Sequence, residues 1–271
     1  MSNGFYEHPK TIPQVHDLTG LHTPASGKMK VRTVPTRPFN DQKPGAAGLR
    51  KPVRTFQQPH YLENFIQSTF DAIPILKNST LVIGGDGRYY NREAIAILLH
   101  MAVANGVRKC IIGCGGLLST PAASLLIPRV GGVGGFILAA SHNPGGPKGD
   151  FGIKLNIANG GQTSETVTNA IYQSSLAIAR YFTLETKPRV ELDRLGQQQL
   201  GDMRIEIIDP VSHYASVMER LFDFERIPAL LSNGEFRMRF DARHTVTGPY
   251  AREIFEQRLG ASQDRYCMRH L

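Results

Sequence analysis

The stretch Ala139-Ala140-Ser141-His142-Asn143-Pro144-Gly145-Gly146 sets a hydroxyl beside an imidazole directly after an apolar run, Gly135-Phe136-Ile137-Leu138. The run has the length and composition of a buried strand, so Ser141 is delivered to a strand end. Pro144 has no amide hydrogen and pushes Asn143 away from helical angles, while Gly145 and Gly146 tolerate positive φ, which predicts a tight exposed loop. A hydroxyl held on such a loop with a histidine next to it suits nucleophilic chemistry. The same residue types build ordinary turns, in which Ser141 would only cap and His142 would only face water.

A second segment suits an anionic ligand. Asp41 to Arg50 is a loop in which Gly45 and Gly48 allow close backbone approach and Arg50 supplies a planar guanidinium, a group that grips phosphate in a bidentate manner. Loop arginines are also commonly no more than solvated. The chain carries a formal charge of +8, from residues scattered as Lys28, Lys30, Arg32 and Arg37, then Arg50, Lys51 and Arg54, then Arg237, Arg239 and Arg243. Small phosphorylated ligands satisfy that excess as well as nucleic acid does. No basic run interleaved with aromatics marks a stacking platform, so nucleic acid is not an expected partner.

The elements that must position these residues follow in order. The ordered part is expected to start at Val31-Arg32-Thr33-Val34, after an extended arm. Tyr61, Leu62, Phe65, Ile66 and Phe70 fall at helical spacing, and Ser79 to Ile83 reads as a buried strand stopped by Gly84-Gly85-Asp86-Gly87-Arg88. A helix from about Asn91 to Asn105 ends at Gly106. Val107 to Ile112 is a strand running into a Gly113 turn, and Thr120 caps a short helix with Pro121 in its first position and Pro128 at its end. Then come the strand before Ser141, a strand from Phe151 to Ile157, and a helix from about Ser164 to Phe182. This alternation predicts an α/β fold with a mainly parallel, mixed sheet flanked by helices, and ligands beyond the carboxyl ends of the strands. The Ser141 loop, the Asp86-Gly87-Arg88 turn and the Gly113 turn are all expected at that edge.

Residues Leu184 to Met203 read as a linker. Arg204 to Ile208 then opens a second, incomplete α/β unit, with Asp209 capping and Pro210 starting a helix, a strand from Phe236 to Phe240, and a helix from Gly248-Pro249 to near Gly260. The expected organisation is a flexible arm over 1–30, a first domain over 31–203 and a partial second domain over 204–271.

With 271 residues, 41% of them hydrophobic, the chain suffices for one large or two modest cores. No apolar run approaches the roughly 18 residues of a membrane span. Residues 1–28 hold Glu7, Asp17 and no apolar stretch, so no secretory signal is read and a cytoplasmic location is expected. Cys110, Cys114 and Cys267 form no even framework and are expected as free thiols.

Seven motifs in one order resemble the phosphoglucomutases of the α-D-phosphohexomutase superfamily, in the eukaryotic phosphoglucomutase/parafusin branch. They are Asp41-Gln42-Lys43-Pro44-Gly45, Gly48-Leu49-Arg50, Gly85-Asp86-Gly87-Arg88, Leu118 to Ala122, Ala140 to Gly146, Gly149 to Lys154, and Asp241 with His244. The resemblance covers about Val31 to Ala261. It implies interconversion of glucose 1-phosphate and glucose 6-phosphate, within carbohydrate metabolism, through a phosphoserine and a bisphosphate intermediate. Ser141 matches the phosphoryl-carrying serine. His142 and Lys154 match residues near the reacting phosphate, Lys154 as acid/base or as a clamp, and Arg50 and Asn143 are expected at the phosphate. Arg88 and His244 match as well, either in a satisfied structural role supporting the loops or in direct chemistry. The family's Mg²⁺ is held by the phosphoserine, here Ser141, and by an aspartate loop of the second domain that this sequence lacks; glucose 1,6-bisphosphate is the implied activator. The chain departs from the family pattern at Ala46, Ala47 and Ala139, where hydroxyls are usual. The match fades after Ala261, so a chain truncated early in its second domain is expected, either a phosphoglucomutase portion or a non-catalytic phosphoprotein that acts as a scaffold or in signalling.

Overall fold

The computed structural model describes residues 29–261 except Gly234 and His244, together with the backbone of 266–269. The expected arm up to residue 28, His244 and the side chain of Cys267 lie outside the described residues. In chain order the elements begin with β1 (Val31–Pro35), β2 (Leu49–Pro52), α1 (Val53–Phe56), α2 (Tyr61–Ala72), β3 (Thr80–Gly85), α3 (Asn91–Ala104) and β4 (Lys109–Leu117). They continue with α4 (Thr120–Arg129), β5 (Gly134–Leu138), β6 (Asp150–Ile157), α5 (Glu165–Ala177), β7 (Arg180–Leu184), β8 (Gly196–Leu200), β9 (Met203–Ile208) and α6 (Ser212–Leu221). The last are α7 (Ile227–Ser232), β10 (Met238–Asp241), α8 (Thr247–Ala251), which runs on as a π-helical segment Arg252–Arg258, and β11 (Tyr266–Arg269).

Seven strands form the main sheet in the order β2-β6-β5-β3-β4-β9-β8. The central four, β5, β3, β4 and β9, are parallel, and β6, β2 and β8 join antiparallel to their neighbours. Alternate residues of each central strand point to opposite faces, and both faces are apolar, as a strand covered on both sides requires. Leu81, Ile83, Cys110, Ile112, Phe136 and Leu138 bury in one core with α2 and α3. Val82, Ile111 and Ile137 bury in a second core with Ala122, Ala123 and Ile127 of α4, Ala215 of α6 and Tyr250 of α8. The connection from β3 leads to β4 on one side, while the chain then crosses back to β5 on the other. The loops after β3 and β5 therefore diverge at neighbouring carboxyl ends, the place where an α/β sheet opens a crevice.

Several expectations are corrected. The helix expected to reach Phe182 stops at Ala177, because Ile178 turns extended and Arg180–Leu184 pairs antiparallel with β1, burying Tyr181 and Leu184. The expected linker contains β8, and before it a strap that meets α3 through His100 Nε2 and Pro188 O at 3.0 Å and accepts the Gly115 amide of β4 at Leu192 O at 2.8 Å. The strand expected to open the second unit at Arg204 lies inside the main sheet, parallel to β4, because Ile205 and Ile207 bury in its first core. Gly113 is no turn: β4 runs on to Leu117 through a bulge, Ile83 pairing with Ile112 but Gly85 with Leu117. Ser119, not Thr120, caps α4, its hydroxyl accepting from the Ala122 amide at 3.3 Å, so that Pro121 falls second, and the helix accommodates Pro128 internally. Asp209 stands further ahead of its helix than expected, accepting from the Val211 amide at 2.9 Å and from the Ser212 hydroxyl.

Candidate active site

Ser141 sits one residue beyond buried Ala140 at the end of β5, in the left-handed region at φ +55°. A residue with a Cβ is uncommon there and held at a cost of about 1–3 kcal/mol, so the surrounding bonds must over-determine it. They do. The Asn143 amide donates to Ala140 O at 3.1 Å, the Asp150 amide to Pro144 O at 2.8 Å, and the Gly149 amide to Gly146 O at 3.0 Å. The Asn143 side-chain amide donates to the Asp150 carboxylate at 2.8 Å. Arg88, with a side chain only 8% exposed, donates through one guanidinium nitrogen to Ser141 O at 3.1 Å and through another to Asp150 O at 2.8 Å. Its Nε meets Asp86 at 2.8 Å, and Asp86 is fixed by its own amide on Leu138 O. Arg88 thus clamps the loop to the turn after β3, a supporting arrangement, one of the two roles the sequence left open for it.

The clamp leaves the Ser141 hydroxyl exposed, 3.4 Å from His142 Nδ1. Both open on a cavity of about 810 Å³, lined also by Asn143, by Ser119 and Thr120 at the start of α4, and by Arg243, Thr245 and Tyr250 from beyond β9. This volume is in the range of small-molecule pockets. Three walls therefore meet: the β3 turn, the β4–α4 turn and the Ser141 loop, joined by a fourth from the 241–250 segment. Sequence reasoning did not foresee Tyr250 as part of this wall. Its hydroxyl accepts from the Ser119 amide at 3.1 Å and donates to Pro210 O at 2.8 Å, and burial pushes its pKa up. Tyr250 is also core, buried with residues of α4 and α6.

Asn143 faces the cavity but is tied to Asp150. Lys154 and Arg50 do not line the Ser141 cavity; they stand together on β6, next in the sheet to β5, and on β2, one strand further out. The 45–48 turn closes over Lys154: a Cβ on Gly48, at φ +87°, would meet Lys154 Cβ and Ile153 O at 2.5 Å. Burial lowers the Lys154 pKa, and the neighbouring Arg50 guanidinium lowers it further. The Arg50 Nε is buried with no hydrogen-bond partner in the protein. A cation pair with an unsatisfied donor is an arrangement that an anion would relieve.

The aspartate ligands that Mg²⁺ requires are a different matter. Among the described residues no group of three or more His, Cys, Asp or Glu side chains is placed to hold a metal ion. Asp86 is engaged by Arg88 and Asp150 by Asn143. The residues present do not by themselves fit a Mg²⁺ site. Cys110 is buried and Cys114 half-buried, both free, and burial raises both thiols. No helix among the described residues is long and apolar enough to cross a membrane.

Comparison with known proteins adds to this geometry. A family model for the alpha/beta/alpha domain I of phosphoglucomutase/phosphomannomutase matches residues 41–181. A phosphoglucomutase of Rhizobium radiobacter is 51% identical over 231 residues, 85% of this chain and 42% of the relative. The chloroplastic phosphoglucomutase 1 of Marchantia polymorpha is 47% identical over 237 residues, 87% of this chain and 36% of the relative. The crystal structure of the exocytosis-sensitive phosphoprotein pp63/parafusin, a phosphoglucomutase from Paramecium, superposes with a TM-score of 0.82 at 41% identity, covering 87% of this chain and 44% of that one. The chain spans less than half the length of these relatives. Relatives named as cytoplasmic and as chloroplastic both occur.

Proposed function

We propose, since this chain belongs to the phosphoglucomutase/phosphomannomutase family, that it carries the phosphoserine half of a phosphoglucomutase interconverting glucose 1-phosphate and glucose 6-phosphate. The observation that carries the reading is Ser141, held at positive φ by the Arg88 clamp with its hydroxyl exposed to the cavity beside His142. In the forward half-reaction the bond between Ser141 Oγ and phosphorus breaks as a sugar hydroxyl attacks that phosphorus. The sugar hydroxyl gives up its proton to a base as the departing Ser141 Oγ takes one up, and His142 Nδ1, 3.4 Å from that Oγ, is the imidazole nitrogen placed to supply it. The product is glucose 1,6-bisphosphate. In the return half-reaction Ser141 Oγ attacks the other phosphoryl group, so phosphorus and protons balance and no outside reactant is consumed.

Lys154 and Arg50 act on the charge of the reacting phosphate from the β2–β6 edge beside β5; the lowered Lys154 pKa and the unsatisfied Arg50 Nε support this role. Asn143 holds the loop through Asp150 and presents its remaining polar edge to the phosphate. The family's Mg²⁺ would bind at the phosphoserine, Ser141, and the described residues offer no cluster of carboxylates to hold it there. A cytoplasmic location is the companion proposal, supported by the cytoplasmic relatives. No observation favours the non-catalytic alternative.

A coupled assay of glucose 1-phosphate conversion, with Mg²⁺ and glucose 1,6-bisphosphate added, tests the reading. Turnover, or at least phosphorylation of the chain by the bisphosphate seen as added mass, is expected and is abolished in Ser141→Ala. A chain that acquires no phosphoryl group, or one phosphorylated equally well in Ser141→Ala, overturns it.

A further inference from the structure

Arg243 stands out among the residues facing the Ser141 cavity. It is exposed, lines the cavity from the turn after β10, and adopts φ +45°, a conformation that an L-residue with a long side chain rarely takes. The turn holds it there: the Arg243 amide donates to the Asp241 carboxylate at 2.9 Å, and the Thr245 hydroxyl donates to Ala242 O at 2.7 Å. The other arginine of the cavity wall, Arg88, has its donors committed to Asp86, Asp150 O and Ser141 O, and its charge is balanced by Asp86. Asp86 is the carboxylate lining the cavity among the described residues, and it is spent on Arg88. Asp241, which steadies the Arg243 backbone, does not line the cavity. Among the described residues the Arg243 guanidinium has no side-chain partner. The uncompensated charge of this wall is therefore a cation facing the serine loop across the cavity.

We infer that Arg243 is a phosphate-binding residue of this site, taking the dianionic group of a phosphate monoester that enters the cavity opposite Ser141. The inference rests on the proposed function for the identity of the ligand. A planar guanidinium matches a phosphate in a bidentate manner, and the cavity wall around it adds neutral hydroxyls at Thr245 and Thr247. Ser141 and Arg243 come from chain segments about a hundred residues apart, so the substrate would be held between the main sheet and the segment that follows β9.

The backbone conformation supplies an unusual control. Asn and Gly tolerate positive φ better than Arg, so Arg243→Asn removes the charge while relaxing the turn. A structural role predicts lower stability and weaker binding together; the binding role predicts that they move in opposite directions. The test is isothermal titration of Ser141→Ala, which has neither nucleophile nor phosphoserine, with inorganic phosphate and with glucose 6-phosphate. Adding Arg243→Asn is expected to weaken glucose 6-phosphate binding at least about tenfold, the effect of one charge-assisted hydrogen bond, while the melting temperature holds or rises. Arg243→Lys is expected to restore part of the affinity.

Unchanged affinity in Arg243→Asn overturns the inference, as does failure of Ser141→Ala to bind either ligand. Phosphoserine 141 is the other source of the same group. Phosphorus NMR of the phosphorylated chain distinguishes it: if Arg243→Asn raises the phosphoserine pKa but leaves glucose 6-phosphate affinity unchanged, the free-ligand site is overturned. Because binding is read without turnover or phosphoryl transfer, failure of the parent chain to acquire a phosphoryl group from the bisphosphate sinks the proposed function and leaves this result standing.

Discussion

A lysine half-buried beside an arginine meets two penalties for carrying charge, the loss of water and the repulsion of a like neighbour, and Lys154 is lowered by both. Its folded pKa lies below the ordinary value of 10.5 that it regains on unfolding. Between the two the unfolded chain binds more protons than the folded one, so stability rises with pH through that window. Urea denaturation from about pH 8 to 10.5 is expected to show this positive slope, and Lys154→Met to flatten it. Parallel slopes in the two proteins would rule out Lys154 as the source. A bound phosphate monoester dianion should oppose the shift and reduce the slope in the parent. The unsatisfied Arg50 Nε makes the same point in hydrogen-bond terms: the β2–β6 edge is built for a charge that the chain itself does not supply.

At the scale of elements, the serine loop depends on how closely β6 lies under the end of β5. Gly152 permits this. A Cβ there would stand 2.3 Å from Ala139 O and 3.2 Å from Arg50 Cγ, and the first of these contacts is with backbone that also leads to Ser141. Gly152→Ala is expected to destabilise the chain by about 1–3 kcal/mol, by overpacking, and to slow phosphorylation of Ser141 by glucose 1,6-bisphosphate. Thermal unfolding and the time course of added mass check it; a variant matching the parent in both would show that the loop does not depend on this contact. Much at this scale was legible beforehand. Leu81-Val82-Ile83 and Phe136-Ile137-Leu138 read as strands buried on both faces, and Asn143-Pro144 with the following glycines read as a turn, because each signal is complete within a few residues. The helix expected to reach Phe182 went wrong for the opposite reason. Its last residues suit a helix or a strand, and β1, about 150 residues earlier, decides between them.

For the whole molecule, the cavity exists because the segment after β9 folds back across the second face of the sheet. Tyr250 is the tie. Its ring packs edge-on against Tyr214, with centroids 5.4 Å apart, and its hydroxyl joins the Ser119 amide to Pro210 O. Tyr250→Phe keeps the ring and strands both backbone groups, at an expected cost of about 1–3 kcal/mol. Urea denaturation should register the loss, and limited proteolysis should cut the 241–258 segment faster than in the parent. Unaltered proteolysis with lowered stability would place the effect at α4 alone. The same segment leaves Leu221, Phe222, Leu230 and Phe236 exposed.

The sequence by itself determined the family motifs, the α/β alternation and the serine loop, because turn chemistry, strand burial and motif order are local properties read along the chain. Only the tertiary structure decided that β9 closes onto β4, that Lys154 and Arg50 stand beside the cavity and not in it, and that Tyr250 and Arg243 complete its wall. Those outcomes depend on which distant segments bury against each other. Sheet pairing and core closure across a hundred residues leave no mark in local spacing.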